Sequence, residues 1–573
     1  MNRKNIVAWL GVVVALLSGQ VAAQNAGLAG AYLAARQAGF DGDYRATAQY
    51  FARALRADPG NPEMMERSVL ANFSMGKLDQ SIAMAKTLEA SGYKSQIASM
   101  ALVASAAARA DYDDLDARIA ANKGIGPLVD GLLLGWSRLG AGELQGSMAA
   151  FDEVALEDAF KGFAAYHRAM ALASIGDFES ADAIFSSGAI GALQRTRRAV
   201  LANVEILSQL ERNDEAQQLI VQAFRGDLDP GLSQIMSDLE AGRMLPFTFV
   251  DDARDGIAEV FYTLAGALSN ESNDDFTLLY SRVAEYLSPK HVDAILLSAE
   301  LLERLGQPQL AVETYERVPP SNTSFHAAEL GRAGALRDAG QDEAALEVLR
   351  GLARTHGDLS VVQTALGDAM RQDEQYAAAV EAYSNALALF ETPGQPQWFL
   401  FYVRAISYER LDKWDLAEAD FRKALELNPN QPQVLNYLGY SLVQKQSKLD
   451  EALSMIETAV AERPRSGYIV DSLGWVLYKL GRYDEAVGHM ERAAELMPID
   501  PIVNDHLGDV YWAVGRLREA EFQWKRALSF ADHGTAAEPA DVDRIRRKLE
   551  IGLDAVLAEE ASAALDVANG GGD

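Results

Sequence analysis

The sequence predicts an all-α fold: a right-handed α-solenoid superhelix of stacked helix-turn-helix units, with no β-sheet domain. Three observations predict this class. Small residues, turn glycines and helix-ending prolines recur with a period of about 34 residues, the signature of a repeated supersecondary unit. The clearest copies begin at Trp398, Pro432, Gly467 and Pro501. Apolar residues make up 49% of the chain, which suits a helical core that grows unit by unit.

The third of these copies explains why each residue type stands at its place. Gly474, Ala486 and Ala493 are small, so two antiparallel helices can approach closely. Gly481 precedes the second helix and can adopt the positive φ that a helix-ending turn requires. Pro498 cannot continue the second helix and therefore ends it. Each unit is predicted to be a tight pair of helices.

The same pattern continues towards the amino terminus. Copies in frame begin at Ala258, Val292, His326 and Ser360, and more divergent ones at Leu28, Pro62, Gln96, Leu128, Gly162 and Arg197. This pattern resembles the tetratricopeptide repeat, most specifically over 398–534. The resemblance implies tetratricopeptide helix-turn-helix repeats whose first helices line a concave, protein-binding surface.

The repeat pattern also predicts how the chain is divided. Between Gly226 and Gly256 the pattern fails, with Pro230 and Pro246 inside the interval. After 534 we expect a helix that covers the apolar face of the last unit, as an end of a stack requires. The predicted segments are a signal peptide at 1–23, divergent repeats at 24–225, an irregular seam between two superhelical halves at 226–257, regular repeats at 258–534, a capping helix at 538–566 and a disordered tail at 567–573.

The first 23 residues have the organisation of a secretory signal peptide. Arg3 and Lys4 precede the apolar stretch Ile6–Leu17, and small residues at Val21–Ala23 form a cleavage site. The apolar stretch is too short to span a bilayer core of about 30 Å. We therefore expect an exported, periplasmic protein, with an uncleaved anchor as the alternative. The chain has no cysteine to carry a lipid anchor, so membrane association is expected only through partners.

Charge argues against nucleic acid as a partner. The formal net charge is −30 at pH 7, whereas phosphate binding needs clustered Lys and Arg. One basic cluster exists, and we expect its members to pair locally at helical spacing with Asp541, Asp543 and Glu550. The cluster consists of Arg544, Arg546, Arg547 and Lys548.

The sequence offers no pattern for catalysis or for a cofactor. Its seven histidines are scattered and form no His-Glu-x-x-His pair, and no nucleophile elbow, phosphate loop or dinucleotide fingerprint is present. We therefore predict no catalytic, cofactor-binding or metal-binding residues and no enzymatic activity. A turnover found in a broad hydrolase screen would contradict this prediction.

The resemblance to tetratricopeptide arrays implies which side chains point into the groove. At those places aromatic rings alternate with amides and carboxylates, a composition typical of protein-binding surfaces. An alternative interpretation is that some rings, notably Trp475 and Trp512, only stiffen neighbouring helices. The predicted groove residues are Tyr402, Ile406, Asn436, Tyr440, Asp471, Trp475, Tyr478, Lys479, Asp505, Asp509 and Trp512.

A narrower resemblance rests on the segments Leu435–Ser441, Asp471–Trp475 and His506–Asp509. They are similar to those of exported all-repeat proteins of Gram-negative bacteria. That group includes a lipoprotein adaptor which gathers a periplasmic carboxyl-terminal processing protease and its cell-wall hydrolase substrates. The resemblance implies a non-enzymatic scaffold that raises the effective concentration of its partners. The alternative is a structural component of an envelope export or polysaccharide-secretion assembly.

Overall fold

The computed structural model describes residues 28–225, 228–269, 273–531 and 540–569, and all regular secondary structure within these ranges is helical. The all-α prediction is confirmed. The predicted signal peptide lies outside the described residues. Two compact units are present, an amino-terminal unit ending at Leu352 and a carboxyl-terminal unit beginning at Ala353. Within the described ranges, no helix is both long and apolar enough to cross a membrane.

The amino-terminal unit consists of consecutive helices joined mostly by short turns. Two short 3₁₀ segments, Asp158–Phe160 and Gly191–Arg195, interrupt the α-helices. The α-helices are α1 (28–40), α2 (Tyr44–Ala57), α3 (Pro62–Ser74), α4 (Leu78–Ala90), α5 (Gln96–Ala108), α6 (Tyr112–Ala120), α7 (Pro127–Gly140), α8 (Leu144–Val154), α9 (Lys161–Ser174), α10 (Phe178–Ser186), α11 (Arg197–Gln209), α12 (Asn213–Phe224), α13 (Pro230–Glu240), α14 (Ala253–Leu268), α15 (Asp274–Leu287), α16 (Val292–Arg304), α17 (Pro308–Tyr315), α18 (Phe325–Asp338) and α19 (Asp342–Thr355).

The carboxyl-terminal unit contains the helices that follow α19. A 3₁₀ segment, Gln395–Gln397, lies directly before Trp398. The α-helices are α20 (Ser360–Gln372), α21 (Tyr376–Ala388), α22 (Trp398–Arg410), α23 (Trp414–Leu427), α24 (Pro432–Gln444), α25 (Leu449–Glu462), α26 (Gly467–Lys479), α27 (Tyr483–Leu496), α28 (Pro501–Ala513), α29 (Leu517–Phe530), α30 (Val542–Ile551) and α31 (Leu553–Asn569).

The helices pair as the repeat pattern predicts. From Pro62 onwards the first helix of each unit begins within one residue of the predicted unit start. The exception is the unit predicted at Ala258, where α14 already begins at Ala253. At the turn residue Gly481 φ is +74°, as the turn requires. A Cβ on Gly474 would lie 2.6 Å from Met490 Cγ, so glycine allows the close approach of α26 and α27.

In the amino-terminal unit the two helices that follow α13 pack against helices of earlier repeats. Helix α14 packs against α7 and α9, and α15 packs against α3 and α5. Glycine at 256 permits this contact, because a Cβ there would overlap the indole ring of Trp136. The interval 226–257, predicted as an irregular seam between two halves, contains α13, a non-helical stretch at 241–252 and the start of α14, whereas the two compact units divide within α19.

A buried carboxylate fixes α14 in this position. Glu259 accepts hydrogen bonds from Tyr166 Oη and Arg198 Nε, both at 2.7 Å, and lies 3.2 Å from His291 Nε2. Burial alone raises the pKa of Glu259, but the charge of Arg198 and the hydrogen bonds from His291 and Tyr166 hold its pKa well below the usual range. The ionised carboxylate thus joins α14 to α9, α11 and the start of α16.

The end of the carboxyl-terminal unit differs from the single capping helix predicted at 538–566. Two helices, α30 and α31, are separated by Gly552, whose φ is +83°. A Cβ on this residue would also lie 2.8 Å from Trp512 Cζ2, so both the backbone and the neighbouring ring require glycine. Of the predicted disordered tail, 567–569 belong to α31, and 570–573 lie outside the described residues.

Candidate protein-binding groove

The predicted groove residues lie on the first helices of four successive repeats, α22, α24, α26 and α28. We call the surface formed by these residues the groove face. Its α22–α24 part and its α26–α28 part differ in exposure and in the partners of their side chains.

The α22–α24 part carries a connected set of aromatic rings. Phe399 is 40% exposed, and its ring centroid lies 6.4 Å from that of the half-buried Tyr402. Tyr402 in turn contacts Phe421 of α23 and Tyr437 of α24, at 6.2 and 6.1 Å between centroids. Ile406, one turn along α22, is half-buried beside them. These rings are fixed by their neighbours and still reach the surface at Phe399.

Helix α24, which contributes Tyr437 to this aromatic set, also carries polar groups. Tyr440 is half-buried, and its hydroxyl accepts a hydrogen bond of 2.9 Å from Gln444 Nε2. The amide oxygens of Gln433 and Asn436 are buried and find no hydrogen-bond partner among the described residues. Both side chains are half-buried, so a side-chain rotation would bring these costly unpaired oxygens to the surface, where a bound chain could donate hydrogen bonds to them.

The α26 residue Trp475 is not an exposed groove residue, in contrast to the prediction. It is only 7% exposed, and its ring stacks on those of Tyr478 and His506, with centroids at 4.9 and 3.9 Å. Lys479 Nζ lies 4.8 Å from the same ring, a cation–π distance. The first helices approach closely here, so the indole fills the space between α26 and α28. This burial favours the alternative interpretation, in which the ring of Trp475 stiffens neighbouring helices.

Asp471 is likewise engaged within the unit. Its carboxylate lies 3.0 Å from His506 Nδ1, and both side chains are almost fully buried. Burial alone lowers the pKa of His506, but the charge and hydrogen bond of Asp471 together raise it above the usual value. The pairing with Asp471 therefore favours the protonated form of the imidazole ring that stacks on Trp475.

The predicted groove residues of α28 are covered by the chain's own terminal helices. Lys548 of α30 places Nζ 2.8 Å from both carboxylate oxygens of Asp505 and 2.7 Å from Asp509 Oδ1. Trp512 Nε1 donates a hydrogen bond of 3.2 Å to Asp554 of α31. The α28 part is therefore not open, because a lysine side chain with 0% exposure fills it.

The basic cluster thus pairs differently from the prediction. Arg546 does pair with Asp543 on its own helix, at 3.0 Å. Arg544 and Arg547 pair with Glu560 and Glu559 of α31, and Lys548 reaches α28. Sequence reasoning missed the role of Lys548 because its partners stand about forty positions away. The available signal was the pair Asp505 and Asp509, one helical turn apart on a groove helix.

Comparison with known proteins agrees with the repeat pattern. The tetratricopeptide repeat family model matches residues 398–431 and 470–500, so these segments are tetratricopeptide repeats, which generally mediate protein–protein interactions. A TPR repeat-containing protein of Pseudomonas aeruginosa is 29% identical over 175 residues, which covers 30% of this chain and 28% of the relative. The chain thus matches less than a third of that relative's length.

Two solved structures resemble most of the chain at low identity. The Cut9–Hcn1 hetero-tetramer of the APC/C aligns at a TM-score of 0.37 and 14% identity, covering 91% of this chain and 95% of that one. Yeast Tom70 aligns at a TM-score of 0.34 and 13% identity, covering 95% and 98%. Neither likeness carries information on partners.

Proposed function

We propose that this protein is a non-enzymatic scaffold of the bacterial periplasm that binds protein partners through the α22–α24 part of the groove face. One observation carries the proposal: a connected set of rings runs from the exposed Phe399 through Tyr402 to Tyr437 of α24, the helix that also carries the unpaired amides of Gln433 and Asn436. Rings held by their neighbours bury apolar area with little loss of entropy, and the amides can order an extended chain.

In its finer form, the proposal is an adaptor that brings a carboxyl-terminal processing protease together with cell-wall hydrolases. The segments Leu435–Ser441, Asp471–Trp475 and His506–Asp509, which are similar to those of the exported all-repeat adaptors, support this role. The signal-peptide pattern at 1–23 supports the location. Binding two partners on one chain would raise their effective concentration without any chemistry by the scaffold itself.

Crosslinking in the periplasm of the native organism, followed by mass spectrometry, tests the proposal. We expect capture of a protease and cell-wall hydrolases by the wild-type chain, and loss of capture by the double variant Phe399→Ala/Tyr440→Ala. Phe522→Ala is the matched control, because Phe522 is 58% exposed on the second helix α29. Capture of secretion-apparatus components instead would favour the export alternative, and equal capture by all variants would contradict a role for this surface.

A further inference from the structure

The α28 part of the groove face holds a basic side chain in a fully formed site. Lys548 has 0% side-chain exposure and bridges two carboxylates of α28, Asp505 and Asp509, at 2.7–2.8 Å. Asp509 is itself 1% exposed and also accepts a hydrogen bond from Trp524 Nε1 at 2.9 Å. Its second oxygen has no hydrogen-bond partner within the described ranges and lies 3.6 Å from Arg544 Nη1.

These contacts define what the site recognises. Arg544 stands four positions before Lys548 on α30 and Ile545 stands three positions before it, so both flank Lys548 on one side of this short helix. That face presents two cations to Asp505 and Asp509 and a fully buried aliphatic residue, Ile545, to the core. The matching ligand is therefore a helical segment with a lysine, and with an aliphatic residue three positions before it.

The docking of α30 onto α28 depends strongly on the ion pair of Lys548 with Asp505 and Asp509. Ile545 and Lys548 are its buried residues among those described, whereas α28 buries eight. Removing Lys548 without replacement would leave two carboxylates close together in a largely buried place, which is strongly unfavourable. Replacing it by a lysine from another chain conserves the ion pair, so an exchange of one basic helix for another avoids this penalty.

We propose that the α28 part of the groove face is a binding subsite for a lysine-bearing helix of a partner protein, and that α30 occupies this subsite until such a helix displaces it. The occupant differs from the extended chain that the α22–α24 part would bind. The inference does not depend on the adaptor role, because α30 itself supplies the ligand for the test.

A labelled peptide that copies residues 540–553 is the probe, and fluorescence anisotropy with the full chain is the measurement. A tethered helix has an effective concentration on the order of millimolar, so the wild-type chain should not bind the peptide at micromolar concentrations. The double variant Arg544→Ala/Lys548→Ala, which weakens the hold on α30, should bind it at least about ten-fold more tightly. A peptide carrying Lys548→Glu should not bind either chain.

The matched control is Arg546→Ala/Arg547→Ala, which removes the same charge from the same helix without touching α28. This control variant should bind the labelled peptide as weakly as the wild-type chain does. Equal binding by all three chains, or no binding by a double variant that keeps its helical circular dichroism, would overturn the proposal.

Hydrogen exchange of the wild-type chain supplies a second test without any substitution. Millimolar peptide should increase the exchange of the α30 amides while those of α28 stay protected. Unchanged exchange in α30 at saturating peptide would show a permanent structural cap and overturn the proposal. A failure of either test leaves the crosslinking result at the α22–α24 part unaffected, so the two proposals fail separately.

Discussion

Gly508 of α28 lies directly against the indole of Trp524 in α29: a Cβ on Gly508 would lie 2.5 Å from Trp524 Cδ1. The indole is fully buried, and its Nε1 donates a hydrogen bond of 2.9 Å to Asp509, the neighbour of Gly508. The small residue therefore sets the distance between the two helices of the last repeat. It also positions the carboxylate that receives Lys548.

Replacing this glycine should destabilise the last repeat. We expect Gly508→Ala to lower the free energy of unfolding by about 1–3 kcal/mol, because the added methyl group overpacks a filled interface. Hydrogen exchange should show lost protection in α28 and α29 first, since each repeat packs only against its neighbours. The same substitution at Gly488 of α27 is the control. Apart from the adjacent residues and the backbone of α27 itself, no described atom lies within 4 Å of a Cβ there, so Gly488→Ala should stabilise by about 0.5–1 kcal/mol.

Removing the buried lysine should release the terminal helices. We expect Lys548→Met to cost the docking of α30 about 3–5 kcal/mol, because Asp505 and Asp509 lose their buried partner. Arg547→Met removes a more exposed pair with Glu559 and should cost under about 1 kcal/mol. Protease accessibility of α30, compared between the two variants, measures the difference. Equal accessibility would contradict the importance of the Lys548 ion pair.

The stability of the carboxyl-terminal unit should depend on pH through His506. Its pKa is raised above the usual value in the folded chain, so the folded state binds the proton more tightly than the unfolded state. The stabilisation that the His506–Asp471 pair gives the folded state is then fully present below the unfolded-state pKa of histidine, about 6.5. It is lost as the pH rises through the folded-state pKa of His506. In urea unfolding, His506→Gln should destabilise more at pH 5.5 than at pH 9. A difference that does not change with pH would contradict the pairing.

The buried carboxylate of the amino-terminal unit should hold α14 in place. We expect Glu259→Gln to cost about 1.5–3 kcal/mol, because the nearly buried Arg198 loses the charge-assisted hydrogen bond to Glu259 and keeps only its second carboxylate partner, Asp293. Glu313→Gln in the same unit is the control, since Glu313 pairs with Arg45 at the surface and should cost under about 1 kcal/mol. Hydrogen exchange in α14 checks both variants. Similar exchange in the two would show that α14 docks through apolar packing alone.

Much of the fold could be predicted because its causes are local. Helix starts such as Pro62, Val292 and Pro501 follow from the sequence pattern that recurs in each unit. The approach of α28 to α29 follows from a single small residue, Gly508. Such features need only the geometry of two adjacent helices, which neighbouring positions in the sequence specify.

The candidate site was less predictable because burial depends on what covers a helix. Tyr440 and Trp475 both stand at the ninth place of their repeats, yet Tyr440 is half-buried and Trp475 is almost fully buried against its neighbours. Asp505 and Asp509 carry the charge predicted for a groove, but α30 already neutralises it. The position of a residue in the repeat predicts the face of the helix on which it lies. It does not predict which other segment packs against that face.

The sequence by itself determined the helical hairpins, their turns and the helices that line the groove face, because a repeated pattern encodes contacts between adjacent segments. Only the tertiary structure decided that α14 returns to α7 and that Lys548 fills the site on α28. Both contacts join residues far apart in sequence, at Gly256 with Trp136 and at Lys548 with Asp505. They arise from shape and charge complementarity between distant surfaces, which no local periodicity records.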